Sequence, residues 1–342
     1  MDRLLRFGLP LFVCTALACS SNSISSNSDG GTNDHQDGSI GTPVDFAVPE
    51  GAFSVGIGPL PLMPGQEETV CITLKMPNTM DVDVVQLQAT LAPGSHHLIL
   101  YRSNATSEST TPTPCTPFEG VTNGEVPIMI AESLNSTLKL PTNVAYHFAA
   151  NQMVKIEAHY INASPNMING AGQVVLTPGA SSVTYQPADI MFCGSTVQLE
   201  TQGVPANNTD YVLNPGFYSG NNSDVDFTKI KVFAFTSHEH HLGKEVTISK
   251  STSASDPGTM IYDNTSWDAP PLTDLDDQHL LTFNAGEGLR WQCSYDSADA
   301  NPKPTGTTTF GQSAIDNEMC FIWAYYYPSV GRFVGIQDCA IQ

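Results

Sequence analysis

The sequence predicts an all-β protein made of two consecutive jelly-roll-like antiparallel β-sandwich domains. Three observations lead there. The 342 residues include 27 glycines and 24 prolines beside much Thr, Ser, Asn and Val, the composition of many short strands joined by turns. No long amphipathic helical pattern interrupts that composition. Short apolar or β-branched runs recur along the chain, each bounded by Pro, Gly or Asn.

In chain order, residues 1–19 read as an export leader. Arg3 and Arg6 precede a largely apolar run, 4–18, that is too short to span a bilayer comfortably. Ala16 and Ala18 fit ordinary signal-peptidase cleavage, while a small residue before Cys19 also fits a lipobox in which Cys19 carries lipid. Residues 20–44, almost entirely Ser, Asn, Gly, Asp and Thr, cannot bury a core and read as a flexible tether. Such a spacer favours the lipidated form, anchored at the periplasmic face or the cell surface. The first sandwich is expected over 45–182, with strand-like runs at 69–75, 84–91, 97–101 and 154–160. The stretch 179–187 is small and polar and makes the best boundary. The second sandwich, 183–342, has runs at 229–236, 244–249, 279–283, 288–294 and 321–327.

Lys+Arg number 13 against 34 Asp+Glu, a formal charge of −21. That balance argues against nucleic acid and anionic lipid as partners, because both require basic patches. Any membrane association would come from the lipid anchor. Beyond Cys14 and Cys19 there are six cysteines: Cys71, Cys115, Cys193, Cys293, Cys320 and Cys339. None forms a C-x-x-C pair, and an even, dispersed set in an exported protein reads as three disulfides.

The histidines are grouped rather than scattered. His96-His97 are adjacent, His159 stands alone, and His238-x-His240-His241 form a cluster. On a strand, i and i+2 share a face, so His238 and His240 can turn to one ion while Glu239 and His241 point away. An H-x-H taken alone also fits a polar strand surface. Adjacent histidines face opposite sides of a regular strand, so His96 and His97 can share a metal only through a twist or by using different ring nitrogens. Met319 alone would usually be core packing.

Taken together, the motifs are more specific. Gly94-Ser95-His96-His97, Glu157-Ala158-His159-Tyr160, His238-Glu239-His240-His241-Leu242-Gly243-Lys244 and Glu318-Met319-Cys320 occur in that order. The order resembles the copper type II, ascorbate-dependent monooxygenases, the family of peptidylglycine α-hydroxylating and dopamine β-monooxygenases. The resemblance implies two copper ions, one held by His96, His97 and His159 as electron donor. The other, held by His238, His240 and Met319, would be the catalytic site that meets O2. A thioether among imidazoles favours Cu(I), whereas zinc rarely recruits Met and hard ions prefer carboxylates. The implied activity is C–H hydroxylation of a small-molecule substrate with O2, with ascorbate or another small reductant resetting the metal.

The same resemblance implies Cys293–Cys320 and Cys193–Cys339 disulfides. In the family the counterpart of Cys71 pairs with a cysteine soon after the third histidine. Here none follows His159 before Cys193, and Cys115 becomes the expected partner. The substrate pocket departs further. Peptide hydroxylases grip a carboxylate with an Arg where this chain has Thr236, helped by polar residues where it has Phe321 and Trp323. With no charge-assisted clamp, an apolar or aromatic substrate is expected, unless those two rings simply fill the core. The alternatives are a copper-carrying lipoprotein without turnover and a metal-free surface sandwich.

Overall fold

The structure, a computed structural model, describes residues 47–220 and 225–339. The leader, the tether and Cys19 lie outside the described residues. The N-terminal strands are β1 (Phe53–Leu62), β2 (Glu67–Lys75), β3 (Val82–Leu91), β4 (Ser95–Arg102), β5 (Ser109–Pro114) and β6 (Val126–Ala131). They continue with β7 (Asn135–Lys139), β8 (Val144–Phe148), β9 (Met153–Ile161), β10 (Ile168–Pro178) and β11 (Gln186–Pro187). These make two sheets, one ordered β1-β10-β3-β8-β11 with β7 beside β3, the other β5-β2-β9-β4-β6.

The C-terminal strands are β12 (Asp189–Gly194), β13 (Tyr211–Val212), β14 (Gly216–Tyr218), β15 (Lys231–His238) and β16 (Gly243–Ser251). The last four are β17 (Thr259–Asn264), β18 (Thr273–Asp274), β19 (Gly288–Tyr295) and β20 (Phe321–Tyr327). They form a sheet ordered β12-β20-β15-β18 and a second ordered β13-β19-β16-β17, with β14 beside β19. Pairing is antiparallel except for β11 on β8, and sheet membership changes between Pro187 and Asp189. The protein is therefore all-β, with sandwich-like pairs of sheets.

The sequence of β20, Phe-Ile-Trp-Ala-Tyr-Tyr-Tyr, is apolar or aromatic throughout because both of its faces are buried. Period-two alternation sends Phe321, Trp323, Tyr325 and Tyr327 into the core shared with the N-terminal sheets. Ile322, Ala324 and Tyr326 point the other way, into the second C-terminal core with Val246, Ile248 and Trp291. The two halves thus meet through an aromatic layer. Phe118 stacks on Phe192, and Phe192 lies flat on Trp323 with ring centroids 3.8 Å apart. Across the same junction the Ile130 N–H donates to the Tyr325 hydroxyl at 3.0 Å.

A groove between the halves is lined by Leu140, Thr142, Asp274 and Asp277 among others, and by none of the histidines. The 279–283 strand also gives way to a turn. The Asp276 carboxylate accepts from the N–H groups of Gln278 and His279, and within that run Leu281 alone makes a bridge, to Val232.

Three disulfides join Cys71–Cys115, Cys193–Cys339 and Cys293–Cys320, the pairings expected from the sequence. Cys193–Cys339 spans 146 positions and ties the first C-terminal strand to the short helix Ile336–Cys339. Chain-entropy arguments give such a closure about 4–5 kcal/mol. Among the described residues no helix is long and apolar enough to cross a membrane.

Candidate metal centre

Five of the six expected ligands converge. His96 and His97 open β4, where the chain enters through Gly94 at φ +85°, a conformation an L side chain rarely takes. A Cβ there would also run into Ile168 Cδ1. The β4–β9 register slips between Ser95 and His97, and this bulge resolves the difficulty posed by adjacent histidines. Both imidazoles end up on one side, with ring centroids 5.3 Å apart. His159 lies directly opposite His97 on β9, at 5.2 Å. His238 ends β15 and His240 follows two residues on, its ring 5.1 Å from that of His238. His241 turns away to the carbonyls of Ala314 and Pro302.

The rings from the two halves are interleaved. His96 is 4.9 Å from His238 and 5.7 Å from His240, and His97 is 5.1 Å from His238. One nitrogen each from His96, His97 and His238 lie mutually within 4.8 Å, a trio drawn from both halves. The two expected histidine sets therefore lie side by side rather than apart. Nor do these side chains face solvent, since all five are between 0% and 3% exposed.

Whether a metal fits is decided by the nitrogens. Both ring nitrogens of His96 and of His97, Nδ1 of His159 and Nε2 of His238 are buried without a hydrogen-bond partner. Buried polar atoms are rarely left so, and the trio from His96, His97 and His238 could hold a metal ion. The opposite nitrogens are held. His238 Nδ1 lies 3.0 Å from a Glu132 carboxylate oxygen, His240 Nδ1 3.1 Å from the Asn317 carbonyl, and His159 Nε2 3.0 Å from Glu67. Partners of this kind keep the proton on the far nitrogen and leave the inner one bare.

Charge reinforces the arrangement. Burial, more than any other cause, holds His96, His97 and His240 well below the usual imidazole range and pushes His238 down to about 3. Neutral imidazoles are the form that binds metal. Burial pushes Glu132 up to about 8 against the pull of His97 and His159. Burial also acts to raise Glu67, but hydrogen bonds from His159, Ala314 and Ser313 overcome it and hold the group at about 2. An all-imidazole donor set suits copper or zinc and is a poor match for calcium or magnesium.

Met319 immediately precedes Cys320 and β20. It is buried, its N–H donates to Glu318, and its carbonyl accepts from the Tyr295 hydroxyl. Its side chain belongs to the apolar core that also holds Phe118 and Phe321. The residues expected to line a substrate pocket lie inside the protein. Phe321 and Trp323 fill the aromatic layer, and Thr236, opposite Trp323 in the ladder, is buried with its hydroxyl unpaired.

Sequence reasoning missed Glu67, Glu132 and Asn317, which orient the rings. Phe118 was missed as well. It adopts φ +60°, donates its N–H to Glu157 and stacks on His97. So was Trp267, half-buried, with its ring 5.8 Å from His96. Glu132 had a signal, a lone carboxylate ending the apolar run of β6. The others depend on pairings distant in sequence.

Comparison with known proteins gives one family match. Residues 186–340 match the copper type II ascorbate-dependent monooxygenase, C-terminal domain. That segment is similar to this family's C-terminal domain. The matched region carries His238 and His240, the C-terminal histidines of the cluster, and also Met319. No curated protein matches the chain. Among solved structures, the major capsid protein P2 of bacteriophage PM2 aligns at 7% identity and TM-score 0.32, over 80% of this chain and 97% of that one. PNGase F, a glycosylasparaginase from Flavobacterium meningosepticum, aligns at 8% identity and TM-score 0.28, over 83% and 98%. Scores this low transfer neither fold detail nor activity.

Proposed function

We propose that the chain is a copper-dependent monooxygenase that hydroxylates a C–H bond of a small, largely apolar substrate. It would use O2 and electrons from ascorbate or another small reductant. The observation that carries this reading is the meeting of five buried imidazoles, four of them with unpartnered nitrogens, beside a segment similar to the copper monooxygenase C-terminal domain. Two ions are proposed, one on His96, His97 and His159, the other on His238, His240 and Met319. Bound copper would supply the one-electron steps that activate O2.

The protein's own groups do the rest. Glu132, the Asn317 carbonyl and Glu67 keep protons on the outer nitrogens of His238, His240 and His159. Phe118, Phe192, Phe321 and Trp323 exclude water from the inner side of the cluster. Trp267 places its indole beside His96, and Thr236 provides no charge for a carboxylate. Both features favour an apolar or aromatic substrate.

The three disulfides fit an exported protein, and lipid attachment at Cys19 is part of this proposal. The near-complete burial of the rings supports a second reading, a copper carrier without turnover. Reductant-dependent O2 uptake, with 18O from labelled O2 entering a product, separates the two. Copper binding without such uptake over a broad C–H panel would favour the carrier.

A further inference from the structure

We propose that Glu67 is a positioning residue that couples the histidines of the two halves. The idea rests on the copper reading above, but its first test does not require metal. Glu67 begins β2, and its side chain is 23% exposed. Water could satisfy such a group, yet the carboxylate is committed to the protein. Oε1 accepts from His159 Nε2 at 3.0 Å and from the Ala314 N–H at 2.6 Å. Oε2 accepts from the Ser313 hydroxyl at 2.8 Å. One bond thus reaches a histidine of its own half, and two cross to a turn 246 and 247 positions away.

That turn is compact. The Ser313 hydroxyl oxygen accepts from the N–H groups of Ile315 and Asp316, and the Asn317 N–H donates to the Ser313 carbonyl. The far side of the same turn holds the C-terminal ligands. The Asn317 carbonyl lies 3.1 Å from His240 Nδ1, and the Ala314 carbonyl accepts from the His241 N–H at 3.2 Å. From Asn317 the chain runs through Glu318 into Met319. A carboxylate on the first half therefore fixes one imidazole directly and a second through five residues of rigid turn. Three charge-assisted bonds on one group are strong enough to give that path two ends that move together.

The test uses the full-length apo protein. Glu67→Gln keeps size and one acceptor oxygen, but its NH2 group cannot accept from Ser313 or Ala314. Amide exchange at Ala314 and Asn317 should speed up by about tenfold or more. Imidazole nitrogen NMR signals should shift for His240 as well as for His159. Ser313→Ala, which cuts one arm, should move the turn and His240 while leaving His159 nearly unchanged. In copper titrations Glu67→Gln should weaken binding at both ligand sets by roughly 10–100-fold. Unchanged exchange in the turn, or a response confined to His159, would overturn the coupling and leave Glu67 a local partner. If the wild type binds no copper, the copper reading fails, while exchange and NMR still decide the coupling.

Discussion

The two halves bring histidines to one place by different means. In the N-terminal half His97 and His159 face each other across the β4–β9 ladder, and a single bulge rotates His96 in beside them. Sheet hydrogen bonds fix these positions before any metal arrives. In the C-terminal half the ladder ends at His238, and His240 lies beyond it. There the backbone is gathered by Glu318, fully buried, whose carboxylate accepts from the N–H groups of His240, Leu242 and Met319 at 3.1, 2.7 and 3.1 Å. Burial pushes that carboxyl up to about 8, against the pull of these three donors. One ligand set is built by secondary structure, the other by a single buried side chain. The second should be the more easily disturbed.

The largest effect expected is from His240→Ala or His97→Ala, each removing an inner nitrogen donor. Reductant-dependent hydroxylation should fall at least about 1000-fold in both, read as kcat/KM. Retention of activity by either variant would remove that residue from the centre. The ladder should keep the fold of His97→Ala intact by circular dichroism, and comparable folding of His240→Ala would show that neither ring is a structural keystone.

Glu318→Ala sharpens the contrast. Three buried N–H groups would lose their acceptor, at a cost of roughly 3–5 kcal/mol in urea unfolding. Hydrogen exchange should rise at 240–242 while β4 and β9 stay protected. Equal loss of protection in β4 and β9 would break the comparison.

The Met319 pair comes next. Met319→His should retain copper, since imidazole is a competent ligand, yet lose about 100-fold in activity as the soft donor disappears. Met319→Ile, near in volume, should weaken copper at the same set and leave stability within about 1.5 kcal/mol. Two coppers and full activity in both variants would make Met319 a packing residue.

The smallest effect tests the junction rather than the ligands. Burial raises Asp189 to about 6, despite hydrogen bonds from Ser329 and Ile190. Its folded pKa lies above the ordinary value of 3.8, so its contribution is present below about pH 4 and is lost as pH rises through 6. Asp189→Asn should therefore gain stability relative to wild type between pH 4 and 8, by no more than about 3 kcal/mol. Urea unfolding at three pH values checks this, and a difference that does not change with pH would contradict it.

Much of the fold was legible locally. The run 321–327 coincides with β20 because an unbroken apolar heptad between Cys320 and Pro328 has few alternatives to a strand buried on both faces. The run 279–283 misled because its Phe283 and Leu281 look strand-like, while the Asp276 turn that displaces pairing lies just upstream. The histidines could be picked out by grouping and resemblance, but their burial and interleaving could not. Those depend on a one-residue register slip and on carboxylates at positions 67 and 132, which become neighbours of the rings only through sheet pairing and the packing of the halves. For Phe321 and Trp323 the sequence left pocket wall and core filling both open, and both rings are buried in the aromatic layer.

The central claim is that histidines from both halves form one copper-binding cluster. Anomalous diffraction at the copper edge, on crystals of the copper-loaded chain, tests it most directly. The account predicts copper density within bonding distance of inner nitrogens of His96, His97, His159, His238 and His240. Copper bound elsewhere, or a cluster without anomalous signal at full loading, would contradict it.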